Sequence, residues 1–215
     1  MELVTRSVEC ATKPSAKEAL SLSKLFFRYG AMNSGKSTLL LQVAHNYEER
    51  DQSVLLVKPA VDTKGNNEVV SRLGVKRRVD ILLQRDDNFR TAFHAARAEH
   101  DPSRPAIACV LIDEAQFLTP EQVDQTLEVV SFDEMPVIAF GIRTDFLTQS
   151  FPGSRRLMEV AHTLEELKTI CRCGRKAIFN ARMNDQGMIK EGEQVMIDGG
   201  DTRYEALCAK CYLSG

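Results

Sequence analysis

The chain has 215 residues, of which 43% are hydrophobic, and its 28 basic and 30 acidic side chains give a formal net charge of −2. This size suffices for one α/β domain with a small appendage, and the near-neutral charge leaves no large basic footprint for a nucleic acid. No apolar run is long enough for a transmembrane helix, and the first 24 residues lack an apolar core of signal-peptide length. We therefore expect neither a nucleic acid nor a membrane among the partners.

The first predicted elements are a poorly ordered leader over residues 1–23, a strand over residues 24–29 and a helix over residues 36–50. Between the strand and the helix the chain fits G-x-x-x-x-G-K-[ST], the pattern of a phosphate-binding loop. The loop consists of Gly30, Ala31, Met32, Asn33, Ser34, Gly35, Lys36 and Ser37. The order strand, loop, helix predicts a nucleotide site, and a glycine-rich turn with a surface lysine is the alternative.

Each fixed position of this loop has a physical role. Gly30 and Gly35 let the backbone turn tightly beside an anion, and successive N–H groups form a concave anion nest. The positive end of the following helix adds to the attraction. Lys36 can reach the β- and γ-phosphates, and the Ser37 hydroxyl can bind Mg²⁺.

A second strand is predicted at Ser53–Pro59, whose unbroken apolar run is typical of a parallel strand buried on both faces. Residues 60–78 are rich in Asp, Gly, Asn and basic residues and predict a mobile loop. Loops of this length inside a compact domain are usually functional, although a solvated charged loop is equally compatible with the pattern. The candidates for phosphate or metal contacts are Asp62, Lys64, Ser71 and Arg72.

A short strand at residues 79–83 and a helix at residues 88–99 precede the clearest buried strand, residues 106–112, which contains Cys109 as a small core residue. This strand ends at Asp113 and Glu114. An aspartate at the end of a strand can hold the Mg²⁺ that bridges two phosphates. A second carboxylate beside it can act on a nucleophile.

A helix is predicted from Pro120, with Thr119 as N-cap and Gln122 completing a capping box. A buried strand at residues 135–141 and a helix at residues 153–161 follow. Strands that alternate with helices predict a parallel α/β sheet of the P-loop type, flanked by helices. Ligands of such sheets bind at the carboxyl ends of the strands. The loops after Tyr29, Pro59, Ile112 and Gly141 should therefore share one crevice.

The last part of the chain carries two close cysteine pairs. Cys171, Cys173, Cys208 and Cys211 predict a tetrahedral Cys₄ site for a structural zinc ion, with four unligated thiols as the alternative. Close pairs favour a metal in a reducing compartment such as the cytoplasm over a disulfide framework. Strand-like segments at residues 176–182 and 194–197 predict a zinc ribbon. The expected organisation is a leader (1–23), an α/β domain (24–168) and a ribbon domain (169–215).

Together these features resemble the thymidine kinase family of the zinc-containing, tetrameric type. The resemblance covers about residues 24 to 213. It rests on five motifs in the family's order: the phosphate loop (30–37), Asp-Glu-Ala-Gln-Phe (113–117), Gly-Ile-Arg-Thr-Asp-Phe (141–146), Cys-Arg-Cys-Gly (171–174) and Gly-Gly-Asp-Thr-Arg-Tyr (199–204) with the second cysteine pair.

The resemblance implies that ATP phosphorylates thymidine to dTMP, with Mg²⁺ accompanying ATP at Ser37 and Asp113 and with Glu114 as the general base. It also implies a structural zinc ion, dTTP as a feedback ligand and a cytoplasmic homotetramer. The implied ATP-binding residues are Gly30, Ala31, Met32, Asn33, Ser34, Gly35, Lys36, Ser37, Asp113, Glu114, Ala115 and Gln116. The implied nucleoside contacts are Phe117, Ile142, Phe146, Val195, Met196, Ile197, Asp198, Gly199 and Tyr204, of which residues 195–199 belong to a segment that closes over the nucleoside, the family's lasso.

The chain departs from the family pattern in the loop after the second strand. The family usually has Asp-x-Arg followed by an aromatic residue and glycine, whereas residues 62–65 read Asp-Thr-Lys-Gly. Lys64 offers a point charge without the bidentate fork of arginine, so its role is open. Two other classes are compatible with the motifs: a DNA-linked ATPase with a zinc ribbon, and a regulatory nucleotide-binding module without turnover.

Overall fold

A computed structural model of the chain describes residues 23–60, 67–71, 74–192, 194 and 202–215. Several sequence predictions fall outside these ranges. They are the leader up to residue 22, the loop candidates Asp62, Lys64 and Arg72, and the nucleoside contacts Val195, Met196, Ile197, Asp198 and Gly199. Among the described residues, no helix combines the length and the apolar character needed to cross a bilayer.

Thirteen strands and five α-helices occur in the described part of the chain. The strands are β1 (Leu25–Tyr29), β2 (Ser53–Pro59), β3 (Glu68–Val70), β4 (Lys76–Arg78), β5 (Ile81–Leu83), β6 (Ile107–Ile112), β7 (Val137–Gly141), β8 (Thr163–Glu166), β9 (Thr169–Ile170), β10 (Lys176–Ala177), β11 (Phe179–Asn184), β12 (Gly187–Ile189) and β13 (Arg203–Leu207). The helices are α1 (Lys36–Glu48), α2 (Phe89–Ala98), α3 (Pro120–Phe132), α4 (Pro152–Val160) and α5 (Ala209–Leu213).

The body of the protein is a six-stranded sheet in the order β5-β2-β6-β7-β1-β8. All neighbouring strands run parallel, which confirms the predicted parallel α/β sheet. The edge strand β8 was not predicted, because its sequence Thr-Leu-Glu-Glu is short and half polar. An edge strand has one solvated side and does not need an apolar run.

Successive residues of the central strands point to opposite faces of the sheet, and each face has its own core layer. Phe27 on β1 lies in the layer covered by α2, α3 and α4. Leu56 on β2 and Cys109 on β6 lie in the layer covered by α1. Burial raises the pKa of the Cys109 thiol to about 12, so this cysteine is an inert core residue, as predicted.

The predicted start of α3 is confirmed. The Thr119 hydroxyl accepts a hydrogen bond from the N–H of Gln122 at 3.2 Å, and the Gln122 side chain accepts the N–H of Thr119 at 3.1 Å. Pro120 takes the first helical position. This capping box fixes the point where the chain leaves the turn after β6 (residues 113–118), which we call the acidic turn, and enters the helix.

The strands of the C-terminal part, which we call the ribbon (residues 169–192, 194 and 202–215), pair antiparallel and lie outside the six-stranded sheet. The ribbon strands pair as β9 with β10 and as a three-stranded sheet in the order β12-β11-β13. The predicted strand at residues 176–182 is present as β10 and β11, with a break at Ile178. The predicted strand at residues 194–197 lies outside the described residues apart from Gln194, which is not in a strand.

Candidate active site and metal centre

The glycine-rich loop lies between the end of β1 and the start of α1, as predicted. Gly35 has φ 81° and Asn33 has φ 68°, both in the left-handed region. Such backbone reversals turn successive N–H groups toward one side and create an anion nest. At Gly30 a Cβ atom would lie 2.6 Å from the carbonyl oxygen of Leu167, so the close approach of the loop to that segment requires glycine.

The ammonium group of Lys36 lies over the loop. Its Nζ donates a hydrogen bond to the carbonyl oxygen of Ala31 at 3.0 Å and lies 3.5 Å from that of Gly30. The side chain therefore folds across the loop, and its charge lies beside the nest. This is the position from which a lysine can neutralise bound phosphate oxygens.

At the end of β6, Asp113 is 5% exposed. Burial, and after it the neighbouring Glu114 carboxylate, raise the pKa of its carboxyl group to about 7, although the backbone N–H of Glu114 and the charges of Lys58 and Lys36 oppose the shift. A cation beside this buried carboxylate would favour its charged form. The chemistry of Asp113 therefore suits a hard metal ion with oxygen ligands.

Glu114 adopts a left-handed backbone conformation with φ 50°, which is uncommon for a residue other than glycine. Its carboxylate accepts a hydrogen bond from the side-chain amide of Gln116. The Gln116 Oε1 atom accepts the N–H of Ile142 at 3.2 Å. Gln116 is 2% exposed, so a buried amide fastens the Glu114 carboxylate to the end of β7.

One cavity of about 450 Å³ joins the phosphate loop to the acidic turn, the segment after β7 and the ribbon. The predicted site residues on its walls are Met32, Asn33, Gly35, Lys36, Ser37, Glu114, Gln116, Phe117, Ile142, Phe146 and Tyr204. Gly30 and Ala31 line a smaller neighbouring cavity instead. The predicted shared crevice thus exists at the ends of β1, β6 and β7. The Pro59 and Ala60 end of β2 lines an adjacent cavity that shares Gln116 and Phe117.

Sequence reasoning missed several residues of this cavity. They are Thr38, Val70, Asp145, Phe151, Asn180 and Gln194. Phe151 packs edge-on against Phe117, with ring centroids 5.6 Å apart and planes at 80°. Because Phe151 directly precedes Pro152 and Gly153, the sequence indicated only a turn at this position. Nothing in the local sequence distinguishes Asn180 from the other residues of β11.

The pocket wall next to the ribbon is organised by Arg182, which is 1% exposed. Its Cζ atom lies 3.7 Å from the ring centroid of Phe146 and 5.5 Å from that of Tyr204. Its Nε atom donates a hydrogen bond to the Tyr204 hydroxyl at 2.9 Å. A buried guanidinium group thus holds the two aromatic residues in place on the cavity wall.

The four predicted cysteines come together. The sulfur atoms of Cys171, Cys173, Cys208 and Cys211 all lie within 4.8 Å of one another. The Cys173 sulfur is 3.6 Å from that of Cys171 and 3.5 Å from that of Cys208. A tetrahedral zinc ion places its thiolates about 3.8 Å apart, so the geometry fits, and the four cysteines could hold a metal ion.

Backbone N–H groups favour the ligating form of one of these thiols. The backbone N–H groups of Cys173 and Cys208 lower the pKa of the Cys171 thiol to about 6. The thiolate is the form that binds a metal. Only one residue lies between Cys171 and Cys173, whereas two are commoner in zinc sites. The two sulfur atoms are nevertheless close enough to bind the same metal ion.

A parallel sheet, a glycine-rich loop between β1 and α1, and an acidic pair at the end of β6 define a P-loop nucleotide-binding protein. The family model of thymidine kinase matches residues 23–212. The chain therefore belongs to the thymidine kinase family, and the resemblance found in the five motifs is confirmed.

Curated relatives match nearly end to end. The thymidine kinase of Idiomarina loihiensis is 48% identical over 191 residues, 88% of this chain and 95% of the relative. That of Chromobacterium violaceum is 46% identical over 193 residues (89% and 98%), and that of Enterobacteria phage T4 is 47% identical over 191 residues (88% and 95%). A Pif1 helicase of Candida albicans superposes on 73% of this chain and 38% of its own chain, with a TM-score of 0.43 and 16% sequence identity. A similarity this low indicates no function for this chain.

Proposed function

We propose that the chain transfers the γ-phosphoryl group of ATP to the 5′-hydroxyl of thymidine, giving dTMP and ADP. The observation that carries this proposal is the single cavity that joins the phosphate loop, Glu114 and an aromatic pocket, in a member of the thymidine kinase family. The cavity's volume, about 450 Å³, lies within the range of ordinary small-molecule sites.

At the phosphate end, residues 30–37 bind the phosphates of ATP through backbone N–H groups and Lys36, and residues 113–116 form the facing side. Ser37 and Asp113 would hold the Mg²⁺ that accompanies ATP, and this ion would supply positive charge to the phosphate oxygens. The left-handed Asn33 and Gly35 and the buried Asp113 support these assignments. Catalysis here is mainly positioning and electrostatic stabilisation.

Glu114 accepts the proton of the nucleoside hydroxyl as it attacks phosphorus. Its place on the wall of the cavity that Lys36 and Ser37 also line supports this role. Gln116 orients the carboxylate by its hydrogen bond, and the Ile142 N–H fixes Gln116 in turn. A general base must be held within hydrogen-bond reach of the proton that it removes.

The nucleoside lies between Phe117, Ile142, Phe146 and Tyr204. The aromatic side chains supply flat apolar contacts for a base, and the clamped position of Phe146 beside Arg182 supports a preformed wall. Residues 195–199 contact the base through their backbone. The segment also excludes water, which competes with the nucleoside as acceptor of the phosphoryl group.

The four cysteines hold one structural zinc ion, because four thiolates leave no open coordination position. We also propose domain boundaries at 24–168 and 169–215, because, among the residues that the structure describes, strands β9 to β13 pair only with one another and not with the six-stranded sheet. The remaining proposals rest on the family: a homotetramer, feedback by dTTP and a location in the reducing cytoplasm, where close thiols remain available to a metal.

The test is direct. Purified protein is incubated with ATP, Mg²⁺ and each deoxynucleoside in turn, and products are separated to detect a monophosphate. A Lys36→Ala variant purified in the same way controls for contaminating kinases. Formation of dTMP by the native protein alone is expected. ATP hydrolysis stimulated by DNA, with no nucleoside monophosphate formed, would reject the proposal in favour of a DNA-linked ATPase.

A further inference from the structure

The side-chain amide of Asn180 joins the ribbon to two loops of the α/β domain. Asn180 lies on β11 and is 3% exposed. Its Oδ1 atom accepts the N–H of Met32 at 2.7 Å, and its Nδ2 atom donates to the carbonyl oxygen of Thr144 at 3.1 Å. The two partners have opposite hydrogen-bonding character, which determines the orientation of the amide.

The phosphate loop also contributes a side chain to the core of the ribbon. Ala31 is 7% exposed and packs in one cluster with Ala181, Leu207 and the metal-binding candidates Cys171 and Cys208. Ala31 and Met32 are consecutive, so packing and hydrogen bonding act on the same peptide. The start of the phosphate loop is therefore built into the ribbon that carries the cysteines.

A third contact joins the segment after β7 to the ribbon. The hydroxyl of Tyr212, the residue after Cys211, donates a hydrogen bond to the carbonyl oxygen of Phe146 at 2.6 Å. The ribbon thus holds both the phosphate loop and the segment after β7. A displacement of the cysteines would be transmitted to both.

We propose that Asn180 is a positioning residue through which the metal-bearing ribbon holds the phosphate loop, so that metal retention and nucleotide binding are linked. The N–H of Met32 donates to Asn180. This hydrogen bond fixes the Met32 peptide, and the fixed peptide orients the N–H groups of the following residues toward the phosphates. Linkage is reciprocal: if bound metal strengthens nucleotide binding, bound nucleotide strengthens metal binding by the same factor. This inference rests on the proposed phosphate and zinc sites and does not depend on which nucleoside is phosphorylated.

The experiment measures zinc affinity by equilibrium competition with a colorimetric chelator, with and without saturating ADP and Mg²⁺. In the native protein, ADP is expected to raise zinc affinity at least about fivefold, the lower end of ordinary coupling between sites. Asn180→Ala removes both hydrogen bonds, and the ADP effect should fall to less than about twofold, well below that range. ADP is kept saturating for each variant, so weaker nucleotide binding alone cannot produce this result.

Asn184→Ala is the matched control. Asn184 is an asparagine on the same strand, and its Oδ1 atom accepts the N–H of Gln186 within the ribbon. This variant should keep the full ADP effect. An equal ADP effect in Asn180→Ala and in the native protein, or no effect in the native protein, would overturn the inference.

A second measurement covers the case in which Asn180→Ala does not fold or does not retain zinc. ADP affinity of the native protein is measured by calorimetry before and after zinc removal. Weaker ADP binding after removal is expected, and an unchanged affinity would contradict the linkage. The same preparations are assayed for thymidine phosphorylation. Linkage without phosphoryl transfer would reject the proposed function alone, and phosphoryl transfer without linkage would reject this inference alone.

Discussion

The amide of Gln116 donates a hydrogen bond to the carboxylate of Glu114, and this contact fixes the group that faces the phosphate loop. The oxygen of the same amide is held by the N–H of Ile142 at 3.2 Å. A chain of two hydrogen bonds therefore runs from Ile142, the residue after β7, to Glu114. The carboxylate therefore has a defined direction, although Glu114 itself lies on a short turn with a left-handed backbone conformation.

Glu114→Gln tests the base assignment. The substitution keeps the shape of the side chain but removes the proton acceptor, so kcat should fall by about 10² to 10⁴. The affinity for ATP should stay within a few-fold, because the phosphate loop is untouched. Steady-state kinetics measures kcat, and titration with a non-hydrolysable ATP analogue measures the affinity. A kcat within a few-fold of the native value would show that another group accepts the proton.

Cys208→Ser tests the metal centre. Loss of one thiolate should release the zinc ion, loosen the ribbon and abolish thymidine phosphorylation. The two core layers of the sheet contain no residue of the ribbon among those that the structure describes, so the α/β domain should stay folded. Metal analysis, circular dichroism and activity measure the three effects. Native protein that is active with no bound zinc would exclude a structural zinc site.

Gly153→Ala tests the packing of α4 against the acidic turn. A Cβ atom at this position would lie 2.5 Å from the carbonyl oxygen of Leu118, 2.8 Å from that of Ala115 and 2.9 Å from that of Gln116. These are backbone atoms and cannot rotate away. Overpacking of this kind costs about 1–3 kcal/mol, and the steric overlap with three carbonyls should exceed the gain of up to about 1 kcal/mol in helix propensity.

A lower melting temperature of Gly153→Ala is therefore expected, by about 2–4 °C for each net kcal/mol in a chain of this size. Ser131→Ala, at an exposed position of α3, is the control and should melt like the native protein. Equal melting temperatures for all three proteins would show that α4 can move away from the turn.

The elements found from sequence are those whose signal is local. The phosphate loop and the segment from Ile107 to Asp113 are continuous stretches of sequence. In each, residues that are neighbours in the sequence also act at the same place in the structure. Asn180 and Arg182 act on residues 148 and 22 positions away, and no local pattern records such partners. Their burial is also atypical, since a polar or charged side chain in a strand is usually solvated. Contacts of this kind emerge only when the ribbon is placed against the sheet.

The choice of base tests the nucleoside assignment. Thymine presents an N–H donor between two carbonyl acceptors, and cytosine presents an acceptor beside an amine donor. The backbone groups of residues 195–199, which we propose contact the base, cannot satisfy both patterns. Each unpaired polar group costs about 1–3 kcal/mol, so two mismatches should lower kcat/KM about 10²- to 10⁴-fold. Deoxyuridine lacks only a methyl group and should lose about 1–3 kcal/mol at most.

The measurement compares kcat/KM for thymidine, deoxyuridine and deoxycytidine. The expected order is thymidine, then deoxyuridine, with deoxycytidine and the purine nucleosides nearly inert. Turnover of deoxycytidine within tenfold of thymidine would reject backbone readout and the thymidine assignment with it.

Arg182→Met tests the clamp behind the pocket wall. The substitution keeps an apolar side chain under Phe146 but removes the donor to the Tyr204 hydroxyl and the stacked guanidinium group. A hydrogen bond from a charged donor contributes about 1.5–3 kcal/mol, so KM for thymidine should rise roughly 10- to 100-fold. KM for ATP should change little, because the phosphate loop has its own anchors. Arg182→Lys keeps the charge but lacks the planar group that stacks on the ring, so it should recover only part of the loss. An equal rise of both KM values would mean that Arg182 supports the whole domain and not the nucleoside wall.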